Sequence, residues 1–313
     1  MCADLVRVKK SNKTIKELQI DLAKYLIQID DGKRLPSIRR LAASTGMSIG
    51  SVSTALNGLQ ELGAVQIQKR GHMGSVMVSR SIGELWNLIE QAPLVIAMTL
   101  PMHLRFEGLA TGLKKAFEKI GIETYLIFIR GSRTRLKALK ENRCHAAVMS
   151  GLAADELSGQ DHEIQMRLPP GSWISGYCVF YQASRPHPHR PIRLAVDPDS
   201  YDHRRLTELE FEGQQVEYRW ASFVQFSRLL KNGDVDAILW TADQEEAYLG
   251  PGIEQRPLSE RTMQLIGENS LSATFVARTG SDPVRAVLQA AIEPAEIMAI
   301  QEKVVRGEII PEY

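Results

Sequence analysis

Cysteine is scarce in this chain. Cys2, Cys144 and Cys178 are the three it has in 313 residues, far apart and without a CxxC pair. That spacing excludes a disulfide framework and a zinc ribbon and leaves reduced thiols, with Cys144 and Cys178 expected to lie buried in strands. Long apolar runs are missing too. Leu94 to Leu100 is among the longest, far short of the roughly 18 to 20 residues that cross a bilayer. Near the start, Lys9, Lys10, Lys13, Lys16 and Lys24 are not followed by an apolar core ending at a small-residue cleavage site, so a cytoplasmic protein with no membrane partner is expected. Nor is there a GxGxxG, a GxxxxGK[ST] or an HExxH. Gly171 to Gly176 resembles a nucleophile elbow only superficially. No catalytic residue, cofactor or enzymatic activity is therefore assigned.

What is present is the composition of an ordinary globular protein: 44% hydrophobic, 24% charged and 6% aromatic. Disordered, collagenous and coiled-coil chains are excluded. At roughly 100 to 200 residues per domain, this length predicts two or three units. The formal charge of +1 hides an asymmetry. Residues 1–80 carry 13 Lys and Arg against 6 Asp and Glu, a net +7, which leaves −6 for the remainder. One end is built to approach a polyanion.

At that end, Ile15, Leu18, Leu22, Tyr25, Leu26 and Ile29 fall at helical spacing between Thr14 and a stop at Asp30, Asp31 and Gly32. A second helix is expected from about Pro36 through Ile38, Leu41 and Ala42 to a left-handed break at Gly46. A third opens at Ser48, a good N-cap, and runs through Val52, Ala55, Leu56, Leu59 and Leu62 to Gly63. Ala64 to Gln68 and Ser75 to Ser79 then read as a hairpin around a basic, glycine-bearing tip, Lys69 to Gly74. Helix, helix, turn, helix and hairpin make a winged helix. Its core is expected to hold Ile38, Leu41, Val52, Leu56, Leu59 and Leu62. Its exposed side is expected to present Arg39, Arg40, Ser48, Ser51, Ser53, Thr54, Asn57, Lys69, Arg70 and His72 to double-stranded DNA, with Lys and Arg on phosphates and hydroxyls or Asn57 on phosphates or base edges. The plainer alternative is a solvated surface.

A linker is expected over residues 81–93, with a short helix around Leu85, Trp86, Leu88 and Ile89 and a stop at Pro93. After it, strands alternate with helices: Leu94–Leu100, Glu123–Ile129 and Ala146–Met149 around helices from Arg105 and from Thr134. That βαβαβ rhythm implies a parallel sheet with helices on both faces. Extended strands follow over Ile164 to Tyr181, and Pro186 to Pro191 marks a break. A second alternation holds Ile192–Val196, Glu217–Trp220 and Asp236–Trp240. Leu271 to Ala277 reads as a strand returning to the first lobe, ahead of a helical tail interrupted at Pro294. The fold class is thus multidomain: a winged helix over 1–80, then a two-lobed α/β domain over 94–313.

Ligands of open parallel sheets sit beyond the carboxyl ends of the strands. That rule selects Thr99, His103 and Arg105, then Ser132, Arg133, Thr134 and Arg135, then Ser150 in the first lobe. In the second it selects Asp197, Asp199, Ser200 and Thr241, with Asp243 beside them. Gly131 to Arg135 also opens a helix, whose free N–H groups favour an anion, and Arg105, Arg133 and Arg135 suit a carboxylate, phosphate or phosphonate. The carboxylates would suit an amine on the ligand. Ordinary solvated loop caps are the alternative for each residue singly. His187 and His189, in a proline-rich stretch, lack further ligands at metal spacing, so no metal site is expected.

Leu35, Pro36, Ser37, Arg39 to Ala42, Met47, Ser48 and the run from Val52 to Gly63 closely resemble the winged helix of GntR-type transcription regulators over about residues 12–79. Members of that family often carry arginine at the positions of Ile49 and Ser53 and an acidic residue at that of Ile38. The resemblance implies DNA binding with the helix from Ser48 in the major groove and the hairpin tip on the backbone or minor groove. The two-lobed half looks like a type 2 periplasmic-binding-protein fold, as LysR-type regulators use for effectors. Together the halves resemble the YhfZ family of regulators. This implies a dimeric DNA-binding regulator whose cleft takes a small-molecule effector. A ligand-binding protein with a degenerate helix-turn-helix for protein contacts, or an α/β-cleft enzyme, are the alternatives.

Overall fold

The computed structural model describes residues 13–71, 74–183, 191–243 and 250–313. They form two compact units: residues up to Pro93 with 117–123 and Asp282–Ala291 in one, and 94–116, 124–281 and 292–313 in the other.

In the first unit, helix α1 (Ile15–Leu26) starts at a capping box, where Thr14 Oγ1 accepts from the Glu17 N–H and the Glu17 carboxylate accepts from the Thr14 N–H. Two orphan donors of the first turn are thereby satisfied. Strand β1 (Arg34–Leu35) was not expected; it pairs antiparallel with the wing. Helix α2 (Ile38–Thr45) begins two residues beyond Pro36, on a Ser37 cap, and ends at Gly46 with φ +69°. Helix α3 (Ile49–Glu61) follows on a Ser48 cap. Strands β2 (Val65–Lys69) and β3 (Ser75–Arg80) complete a sheet of order β1-β3-β2. Leu18, Leu22, Leu26, Val52, Leu59 and Met77 form its core and are fully buried. Two assignments change. Leu62 is 52% exposed, because it is the C-cap residue where the chain turns away at Gly63, and Ile38 is only half-buried.

The segment 81–93 carries the expected short helix. It forms helix α4 (Ile82–Glu90), capped by Ser81, with Leu85 and Trp86 fully buried. It packs on α1 and on the later helix Asp282–Ala291. At Gly83 a Cβ would stand 2.5 Å from the Ile120 carbonyl, so the absent side chain is what lets this close approach occur.

The second unit has two five-stranded sheets. The first contains β4 (Leu94–Met98), β5 (Thr124–Phe128), β6 (Ala146–Ser150) and β7 (His162–Pro170), and is completed by the returning β13 (Ser272–Arg278) in the order β5-β4-β6-β13-β7. The second contains β8 (Tyr177–Gln182), β9 (Ile192–Val196), β10 (Val216–Trp220), β11 (Ala237–Thr241) and β12 (Ile253–Pro257), in the order β10-β9-β11-β8-β12. In each lobe three strands are parallel and the strand linking the lobes enters antiparallel. Two chain crossings with this permuted order are the type 2 periplasmic-binding-protein arrangement.

The helices between strands are α5 (Leu104–Lys119), α6 (Ser132–Lys140), α7 (Gly151–Leu157), α8 (Tyr201–Glu210) and α9 (Phe226–Asn232). After β12 come α10 (Glu260–Ile266), α11 (Asp282–Ala291) and α12 (Pro294–Val305), whose proline stands in the first turn. Cys178 is buried on β8. Cys144 is also buried, but in the turn before β6 rather than in a strand, and burial pushes its thiol up to about 11. No helix of the described residues is long and apolar enough to cross a membrane. Cys2 and the histidines 187 and 189 lie outside the described residues.

Candidate functional site

The loops at the carboxyl ends of β4, β5, β9 and β11 meet between the two lobes around a cavity of about 80 Å³. Half of the ligand residues chosen from sequence line it: Thr99, His103, Ser132, Arg135, Ser200 and Thr241. Arg135 is 3% exposed, its guanidinium about 6 Å from the Trp173 ring centre. One Nη donates to the Ile129 carbonyl at 2.8 Å, while Nε has no partner, and no ion pair reaches Arg135 among the described residues. Burial lowers its pKa to about 10, opposed by the Asp202 charge, so it stays a cation at neutral pH. Beside it α6 opens at Gly131, with no side chain capping its first N–H groups. A buried cation and an uncapped helix start together attract one negative charge.

Two imidazoles face the same space. His103 is 5% exposed with both ring nitrogens unpartnered, and burial pulls it down to about 4. His203 has an unpartnered Nδ1 and is likewise pulled down to about 4, chiefly by burial. Both are neutral at pH 7 and offer one donor and one acceptor each. Buried polar atoms without partners are uncommon, and four around one cavity mark where a polar ligand would complete the bonding. Aromatic rings make the remaining walls. His103, Phe106 and Trp173 are in contact on one side, and His203, Phe223 and Trp240 on the other. Asp202 adds a carboxyl that accepts from Ser150 Oγ at 2.7 Å; burial raises its pKa to about 6.

The other half of the chosen set serves elsewhere. Asp197, fully buried, accepts both from Arg130 and from the Asp199 and Phe223 N–H groups, and Asp199 accepts from the second Nη of Arg130. These carboxylates are therefore neutralised by a residue at the end of β5, and do not wait for an amine. Arg105 is spent on Asp243 at 2.9 Å, Glu302 at 2.8 Å and the Gly171 carbonyl. Ser150 caps α7 and holds Asp202. Arg133 and Thr134 point outward on α6, Arg133 standing over the Tyr201 ring. Arg130–Asp197, Arg105–Asp243 and Ser150–Asp202 each join one lobe to the other.

Sequence reasoning missed Met102, Phe106, Trp173, Ile174, Tyr177, Asp202, His203, Phe223 and Trp240. Asp202 and His203 stand in the first turn of α8. They turn inward because Ser200 caps α8, which sets its first turn against the cleft. No group of three or more metal-ligating side chains gathers among the described residues.

On the first unit, Arg39, Arg40, Ser48, Thr54, Asn57, Lys69 and Arg70 are exposed and Ser51 and Ser53 half-buried. Ser48 and Ser51 hydroxyls bond each other while Ser48 caps α3. His72 lies outside the described residues. Arg34, not chosen from sequence, has its guanidinium at the wing beside Gly74. Ile49 is 50% exposed at the start of α3.

Comparison with known proteins adds two domain matches: the YhfZ C-terminal domain over residues 82–313 and a helix-turn-helix domain over 30–77. The Escherichia coli (strain K12) protein YhfZ is 30% identical over 293 residues, covering 93% of this chain and 95% of its own. The crystal structure of YhfZ from Shigella flexneri is 29% identical, with a TM-score of 0.59 over 74% of this chain and 98% of that one. A Corynebacterium glutamicum OxyR C206 mutant aligns over 96% of this chain and 97% of its own, with 15% identity and a TM-score of 0.47.

Proposed function

The chain belongs to the YhfZ family, and on that premise we propose that it is a DNA-binding transcription regulator whose C-terminal cleft binds a small anionic effector. One observation carries the proposal. On the same chain as a helix-turn-helix domain, Arg135 sits buried at an interlobe cavity and, among the described residues, has no ion-pair partner. A cation removed from water is costly unless an anion meets it. The protein acts by binding, not catalysis, and works in the cytoplasm as a homodimer.

The winged helix resembles the GntR type, so α3 enters the major groove and the wing touches the backbone or minor groove, with two copies about 34 Å apart on a pseudo-palindrome. An effector changes DNA affinity only through its different affinity for two states of the protein. The interlobe pairs are the contacts whose making and breaking separates those states. The test is operator affinity with and without a cleft anion, together with analytical ultracentrifugation. A dimer on DNA whose affinity moves with the anion supports the proposal. A monomer, or anion binding with unchanged DNA affinity, contradicts it.

One observation favours a second role for the N-terminal unit: the exposed Ile49 occupies a position where an arginine would serve DNA. Protein contacts through α3 would show as partner binding that survives at low salt while DNA binding is absent.

A further inference from the structure

The cavity restricts its ligand beyond a single negative charge. Among the described residues Arg135 is the cation lining it, both imidazoles are neutral, and the Asp202 carboxyl interacts electrostatically with Arg135. A second negative charge on the ligand would meet Asp202 with nothing further to offset it, which disfavours a dianion such as phosphate. The remaining walls are rings. Trp173 is 5% and Trp240 4% exposed, and Phe106 and Phe223 lie in ring contact with them. Ring faces attract flat π-systems by offset and edge contacts more than they attract saturated bodies of equal size. The volume, about 80 Å³, is small beside the several hundred Å³ of a drug-sized site and leaves room for one ring.

We propose that the cleft takes a single-ring aromatic or heteroaromatic monocarboxylate, its carboxylate on Arg135 and the opening of α6 and its ring between the Phe106–Trp173 and Phe223–Trp240 walls. The assignment rests on the effector reading above and sharpens it. Unpartnered nitrogens on His103 and His203 then serve a ring heteroatom or hydroxyl, because a neutral imidazole can either donate or accept.

The test is titration of the full chain, by calorimetry and tryptophan fluorescence, with benzoate and 2-furoate beside cyclohexanecarboxylate, propionate, phosphate and benzamide. Benzoate or furoate should bind, perturb the fluorescence of Trp173 and Trp240, and exceed cyclohexanecarboxylate and propionate by about tenfold, the usual size of a ring contact. Trp173→Leu should abolish that preference while benzoate still binds. Arg135→Gln should remove binding and Arg135→Lys restore part of it. If cyclohexanecarboxylate, propionate or phosphate binds as tightly as benzoate and still depends on Arg135, the ring assignment falls and the anionic-effector reading stands. If benzamide equals benzoate, or if nothing on the panel binds, both fall.

Discussion

Arg130 holds Asp197 with one Nη at 2.5 and 2.6 Å and Asp199 with the other at 2.5 Å, joining the end of β5 in one lobe to the loop after β9 in the other. Asp197 is fully buried while the arginine side chain keeps 32% exposure. The pair is therefore an interlobe clasp with one end inside the protein.

Removing the arginine leaves a buried carboxylate held only by the N–H groups of Asp199 and Phe223. Arg130→Gln should cost roughly 3 kcal/mol of unfolding free energy. Arg261→Gln, which breaks the exposed pair with Glu212, should change it by less than about 0.5 kcal/mol. Urea denaturation of both variants makes the comparison, and equal effects would remove the clasp from the account.

Gly131 belongs to the same seam. Its φ is +81°, and a Cβ there would meet the Asp199 carbonyl at 2.5 Å. Gly131→Ala should push the lobes apart and weaken benzoate binding by about tenfold or more, since both the left-handed backbone and the space exclude a side chain. Undiminished affinity in this variant would show that closure at Gly131 is not needed for binding.

Asp202 makes binding depend on pH. Its pKa, raised to about 6 by burial, is held down by the Ser150 hydroxyl and the Arg135 charge, with Tyr177, Tyr201 and His203 beside it. A bound carboxylate raises it further, so the complex takes up a proton. Benzoate affinity should rise as pH falls from 8 toward 6 and level off below that, by up to about tenfold for each unit that the bound form is shifted. His103 and His203 stay neutral across this window, because they titrate near 4. Asp202→Asn should flatten the profile at the high-affinity end. Affinity that grows with pH would contradict this placement of the ligand.

Much of the fold was legible in the sequence, because its signals are local. Ser48 and Gly46 mark the helix-turn-helix by capping and left-handed backbone, and β4, β5, β6, β9 and β11 are short, mainly apolar runs bounded by turns. Strand β1, two residues long, has no period to show. In the 81–93 segment the helix shows locally, but nothing local reveals that it packs on α1 and α11. The strand-end rule chose twelve residues, and half of them line the cavity. It could not show that Arg130 would claim Asp197 and Asp199, or that Arg105 would be spent on Asp243 and Glu302, since those partners lie tens to hundreds of residues away. Nor could it find Trp173 and Phe223, whose place in the cavity comes from how the lobes close.

Binding of the full chain to a pool of genomic fragments across a salt series, with Arg39 and Arg70 reversed in charge as control, tests whether the winged helix binds DNA. A regulator should enrich a particular fragment, lose it as salt rises, and show a salt slope shallower by roughly one for each phosphate contact removed. No enrichment at low salt, or enrichment indifferent to both reversals, would contradict a DNA-binding role for the winged helix.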